Sequence, residues 1–160
     1  MLHIDIICIG KIKEQYLKDA ISEYSKRLSK YCLLKIIELP DEQVPNNLND
    51  SIAQNIKQIE SNNILSHIKK DSYVICLDLK GKQYTSEEFS KKIENISLNI
   101  NSHITFIIGG TLGMTDDLLH HSNELICFSK MTFPHQLIRI FLLEQIFRAF
   151  KISRRETYHR

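Results

Sequence analysis

Apolar runs and helix-period runs take turns along all 160 residues of this chain, and that alternation restricts it to one class of fold. HIDIICI (3–9) reads as a strand closed by Gly10, and residues 14–29 place Tyr16, Leu17, Ala20, Ile21, Tyr24 and Leu28 on one helical face. LLKIIEL (33–39) is a second strand, stopped by Pro40. Residues 40–50, with two prolines and several Asn and Asp, read as a loop. Residues 50–68 form a polar helix marked by Ile52, Ile56, Ile59, Ile64 and Ile68. SYVICLDL (72–79) is the third strand, followed by a turn through KGKQY around Gly81. Thr85 and Glu88 make a capping box that opens a helix over 85–98. HITFII (103–108) is the fourth strand, and a short helix over 115–121 follows with Thr115 as its cap. ELICFS (124–129) is the fifth strand, and Pro134 fits the first turn of a long helix ending near 152.

Ten elements in strict β-α alternation predict an α/β fold, a parallel sheet flanked by helices on both faces. The central strands are continuous apolar runs, as strands covered on both sides require. With no internal repeat and no shift in composition, the chain reads as one domain over 1–160.

In such sheets ligands bind beyond the carboxyl ends of the strands. Three ends stand out: LDLKGK, IIGGTLG and CFSKMTFPH. The second holds three of the chain's five glycines, Gly109, Gly110 and Gly113. These glycines suit either a tight turn or a site that offers bare backbone to a flat ligand with polar edges. A phosphate loop of the G-x-x-x-x-G-K-[ST] type is absent, and the order G-G-x-x-G after a fourth strand is not a dinucleotide fingerprint. No G-x-S-x-G or other nucleophile motif is present. Histidine spacing does not suggest a metal: His120 and His121 are adjacent, and His135 and His159 lack H-x-x-x-H partners. Cys8, Cys32, Cys76 and Cys127 are widely spaced and read as buried reduced thiols. That fits a cytoplasmic protein, as does a start, MLHIDIICIG, with no basic segment before its apolar stretch. No apolar run is long enough for a membrane span.

Net charge is +2, but it is unevenly placed. Residues 128–160 hold seven Lys/Arg against two acids, while the rest holds fourteen against seventeen. This basic pole suits either a polyanion or a solvated helix end. The last helix is apolar around most of its circumference, which places it at the centre of a monomer or between its own sheet and a second chain. Beyond it, Arg154, Arg155, Tyr158, His159 and Arg160 gather cationic, stacking and proton-handling groups. Such a tail could contact phosphates and a base, or be a frayed end.

FIIGGTLG, FSKMTFPHQLIRIFLLEQIFRAFKI and the ending ETYH resemble the small SPOUT-class (α/β-knot) methyltransferases, specifically the bacterial ribosomal RNA large-subunit methyltransferase H family. The likeness runs end to end and includes IGK near the start, ELPDE and LDLKGK. The resemblance implies a C-terminal deep trefoil knot, an exception to unknotted topology, with the knotted cofactor-binding part over about 72–160. It implies S-adenosyl-L-methionine as donor and N3 of a pseudouridine in helix 69 of 23S rRNA as target, within the 70S ribosome. It implies a homodimer, with no metal and no membrane. By motif, the cofactor-binding positions are Leu77, Gly109, Phe128, Ser129, Lys130, Met131, Thr132 and Phe133. His159, Tyr158 and Arg154 are the catalytic candidates, as proton acceptor or orienter and as phosphate contact. The chain departs from the family's usual pattern at Thr111-Leu112, where S-N is common, and at Arg155, where glycine is common. A ribosome-binding protein without chemistry, or a knotted methyltransferase acting on another RNA such as tRNA, are the competing readings.

Overall fold

The computed structural model describes residues 1–159. Its elements alternate as β1 (Leu2–Ile9), α1 (Gln15–Leu28), β2 (Cys32–Leu39), α2 (Asp50–His67), β3 (Tyr73–Lys82), α3 (Ser86–Asn99), β4 (His103–Ile108), α4 (Asp116–His121), β5 (Glu124–Ile126) and α5 (His135–Ser153). The five strands form one sheet in the order β2-β1-β4-β3-β5, and every neighbouring pair is parallel. The parallel α/β sheet read from the sequence is therefore observed, and it is consistent with an α/β-knot fold.

Side-chain alternation assigns the two faces. Ile4, Ile6, Cys8, Ile104, Phe106 and Ile108 point to one side, where they pack with Leu28 of α1, Phe89, Ile93 and Ile96 of α3, and Leu142, Leu143, Ile146 and Phe147 of α5. Ile7, Ile9, Val74, Cys76 and Ile107 face the other side, against Ile64 of α2, Leu118 of α4 and Met114 just before α4. Each fully buried Ile or Leu contributes about 1.5–3 kcal/mol through removal from water. The centre of the sheet is thus covered twice. The helix α5 packs against both α1 and α3 as well as the sheet, which accounts for much of its apolar circumference. Leu137 and Ile140 remain half-buried and Phe141 exposed.

Local chemistry sets the helix starts. The capping box at Thr85 and Glu88 is formed in full, Asn49 caps α2 through Ile52 N–H, and Thr115 caps α4 through Leu118 N–H. Three sequence expectations need correction. KGKQY is not a turn: β3 continues to Lys82, and both Leu77 and Lys82 pair with Ile126, so residues 78–81 arch away between them. Gly81 permits this, because a Cβ there would stand 2.5 Å from the Ile126 backbone. The strand β5 ends at Ile126, not Ser129, because the chain turns off the sheet after Cys127 N–H bonds Lys82 C=O at 3.0 Å. Pro134 precedes α5 as its cap residue instead of sitting in its first turn.

The helix α5 ends in a Schellman motif: Arg155 N–H bonds Ile152 C=O at 3.0 Å and Glu156 N–H bonds Lys151 C=O at 2.9 Å. The motif demands a left-handed residue, and Arg155 supplies it at φ 55°. An L-residue holds that conformation at a steric cost.

Candidate functional site

The strand order places the carboxyl ends of β4, β3 and β5 side by side, and the three segments singled out in the sequence converge there. They enclose a mostly apolar cavity of about 410 Å³. Leu77 and the 78–80 arch form one wall, Ile108 to Met114 a second, and Ile126 to Ser129 with Met131 to Phe133 a third. Seven of the eight positions expected to bind the cofactor line it: Leu77, Gly109, Phe128, Ser129, Met131, Thr132 and Phe133. Lys130 lies in the same loop but is not part of the wall.

The walls are held by their own hydrogen bonds. Ser129 Oγ accepts from Met131 N–H at 3.0 Å, and the Cys127 thiol contacts Ser129 C=O at 3.0 Å. Phe133 stands edge-on to Phe141 at 5.6 Å, which ties the loop to α5. Met131 is 72% exposed at the mouth, a large apolar side chain left in water.

The glycines divide their labour. Gly113 has φ 88°, a conformation that favours glycine. Gly109 and Gly110 are bare for a different reason: a Cβ on Gly109 would stand 2.8 Å from Met114 Cγ, and one on Gly110 2.6 Å from Glu60 Oε1. Their missing side chains make room for the protein's own Met114 and Glu60, a packing role beside the turn and ligand readings that the sequence offered.

On the other side of Gly110 lies a second cavity, of about 490 Å³, beyond the ends of β1, β2 and β4. It shares Gly110, Thr111, Leu112 and His135 with the first. Its inner wall carries two buried ionisable side chains that sequence reasoning missed, Glu60 and Arg139. Arg139 donates to Ile9 C=O at 2.9 Å, Gly10 C=O at 2.7 Å and Glu38 Oε2 at 2.8 Å. Glu38 Oε2 also accepts from Ile12 N–H at 2.9 Å, so Arg139 pins the turn after β1. Glu60 Oε2 accepts from Glu42 N–H at 3.0 Å, and burial holds its carboxyl above the ordinary value. His135 lines both cavities, and burial together with the nearby Arg139 guanidinium lowers its pKa. A lone arginine within HQLIRIFLL was the one available signal for this wall; Glu60, in a polar helix pattern, offered none.

The tail residues are not at either cavity in their own chain. Tyr158 packs edge-on against Phe147 at 5.0 Å and donates to Glu144 Oε2 at 2.7 Å. Burial and Glu144 push its phenol up to about 12. His159 bridges Glu87 Oε1 (2.6 Å) and the Arg148 guanidinium (3.1 Å). Arginine can only donate, so Nδ1 is the acceptor and Nε2 carries the proton towards Glu87. Arg154 lies over the Tyr31 ring at 4.7 Å. Arg160 falls outside the described residues.

Among the described residues no three His, Cys, Asp or Glu side chains are placed to hold a metal ion, and no helix is long and apolar enough to cross a membrane.

The chain is similar to several known proteins. A family model described as a predicted SPOUT methyltransferase matches residues 2–159. A protein of Clostridium botulinum (strain Hall) named ribosomal RNA large subunit methyltransferase H is 58% identical over 159 residues, covering 99% of this chain and all of that protein. A Clostridium perfringens (strain SM101) protein named ribosomal RNA large subunit methyltransferase H 1 is 54% identical with the same coverage. Among solved structures, a probable methylase family protein of Haemophilus influenzae superposes with a TM-score of 0.55 at 12% identity, over 98% of this chain and 70% of that one. At that identity the likeness speaks for the fold alone.

Proposed function

The chain belongs to the SPOUT methyltransferase family, and from that premise we propose that it methylates 23S rRNA of the large ribosomal subunit, using S-adenosylmethionine, in the cytoplasm. The proposed target is N3 of a pseudouridine in helix 69 of assembled 70S ribosomes. One observation carries the reading: the ends of β4, β3 and β5 share one apolar cavity, and seven of the eight motif positions line it. The residues present fit such a donor. Leu77, Phe128 and Phe133 offer apolar surface to a flat purine, and the strand-end backbone offers polar groups to its edge.

The donor, when bound, brings a methyl group already activated on a sulfonium. What remains for the protein is to position the base and take the N3 proton. His159 is better suited than Tyr158 to accept it, because the Tyr158 phenol is held protonated by burial and Glu144. In the free chain the His159 lone pair is engaged by Arg148, so the tail must leave its resting contacts before His159 can act. The exposed Arg154 guanidinium then serves an rRNA phosphate.

The tail and cavity are separate within one chain, which favours action across a homodimer, with one protomer's tail serving its partner's cavity. Phe141, the half-buried Leu137 and Ile140, and the exposed Met131 at the cavity mouth are the apolar surface such a partner would cover. Sedimentation at micromolar concentration is expected to give a species of twice 18.7 kDa; one at 18.7 kDa contradicts the dimer.

Labelled donor, incubated with intact ribosomes, free 23S rRNA and tRNA, tests the reaction. Label is expected on intact ribosomes, with a reverse-transcription stop in helix 69. Donor binding without transfer to rRNA, or transfer to tRNA instead, contradicts it.

A further inference from the structure

Two buried side-chain atoms lack a hydrogen-bond partner among the described residues, Glu60 Oε1 and Arg139 Nε, and both belong to residues lining the second cavity. One is an acceptor and the other a donor. Both residues are almost wholly buried, at 4% and 3% exposure, so bulk water does not satisfy them. Unmet bonds in a native wall cost free energy, and two of opposite kind in one wall fit a ligand that brings a donor and an acceptor of its own.

The polar edge of a nucleobase has that pattern, an N–H beside a carbonyl or ring nitrogen. Most of the charges around the cavity divide between two sides, with Glu14 beside Lys13 the exception. Asp41 and Glu42, in the loop after β2, lie on the side of Glu60, where base N–H groups would be welcome and phosphate would not. Lys11 and Lys13, exposed on the turn that Arg139 pins, offer ammonium groups for phosphate. The cavity also stands at the carboxyl ends of β1 and β4, where the strand order reverses and open sheets bind ligands.

We propose that this second cavity binds one nucleotide of the RNA substrate, its base edge on Glu60 and Arg139 and its phosphate on Lys11 and Lys13, next to the methyl-donor cavity. Because Gly110 to Leu112 and His135 are common to both cavities, a nucleotide seated here holds the neighbouring one at the donor's door. The proposal rests on the rRNA methyltransferase reading, and its test separates the two.

The protein, wild type and as Glu60→Gln and Lys11→Ala/Lys13→Ala, is assayed for donor affinity by calorimetry and for ribosome KM and kcat across a salt series. A photoreactive benzoylphenylalanine at Val44, on the cavity's rim, is cross-linked to ribosomes, and the attached nucleotide is mapped. Donor affinity is expected to stay within about twofold, while ribosome KM rises about tenfold or more in each variant. The lysine variant is expected to reduce the salt slope of ribosome affinity by about one to two, one phosphate contact per lysine. The cross-link is expected within the methylated stem-loop. Unchanged KM and salt slope with no RNA cross-link overturn the proposal while leaving the methyltransferase reading intact. Weakened donor binding in Glu60→Gln overturns it in favour of the donor's own ammonium group as occupant. Failure of the wild type to bind donor sinks the methyltransferase reading, and the cross-link still decides whether RNA enters the cavity. Should Glu60→Gln not fold, the exposed lysines and the cross-link carry the test.

Discussion

Glu60→Gln is expected to stabilise the protein at neutral pH even as it weakens RNA binding. Glu60 Oε2 is satisfied by Glu42 N–H at 3.0 Å, and a glutamine carbonyl keeps that bond. Oε1 has no partner and sits beneath Gly110. Burial raises the carboxyl above its ordinary 4.5, with Asp41 and Glu42 adding to the rise and the Glu42 N–H opposing it. A raised acid binds more protons folded than unfolded between the two pKa values, so native stability falls as pH climbs from about 4.5 through the raised value. The penalty is therefore larger at pH 7 than at pH 4. An unpartnered buried polar group costs about 1–3 kcal/mol, and the glutamine amide retains part of that. The net gain expected at pH 7 is about 1 kcal/mol, or about 2–4 °C in Tm for a domain of this size. Calorimetry of both proteins at pH 7 and pH 4 checks it. Lower stability of the variant at pH 7, or an equal gain at both pH values, refutes the assignment of a strained, unpartnered carboxyl group. Stability gained while binding is lost is the signature of a residue kept for function.

Gly81→Ala is expected to lose about 2–3 kcal/mol in urea unfolding and to abolish donor binding, because its Cβ would fall within 2.7 Å of three Ile126 backbone atoms; wild-type stability contradicts the close crossing of β3 and β5. Arg155→Gly is expected to gain about 1 kcal/mol by relieving the left-handed backbone at φ 55°, and a loss in thermal melts speaks against it. Deleting residues 157–160 is expected to abolish methylation with donor affinity intact by calorimetry; full turnover by that truncation rejects the tail's role. Cys8, Cys32 and Cys76, pushed up to about 12 by burial, are expected to resist a disulfide-exchange reagent in the native protein at pH 8; prompt modification of three thiols contradicts their burial.

The order and kind of the elements were legible because each strand carries its own apolar run and each helix its own cap, as at Thr85 and Thr115. The converging strand ends were legible too, since parallel topology puts all carboxyl ends on one edge of the sheet. What the sequence hid were features made by non-local approach. Gly81 looked like a turn residue because nothing near it in sequence announces the Ile126 backbone against it. Gly109 and Gly110 line the cavity, but nothing near them in sequence announces that Met114 and Glu60 also take the space their side chains would fill. Glu60 and Arg139 were invisible as a pair since 79 positions of chain separate them. Tail residues were recognised by type, but only the folded chain parks Tyr158 and His159 on Glu144, Glu87 and Arg148.

A crystal structure of the protein with S-adenosylmethionine tests the central claim most directly. The account predicts the purine between Leu77 and Phe133, with the sulfonium group inside the cavity bounded by β3, β4 and β5. Density for the donor at any other surface, with that cavity empty, contradicts it.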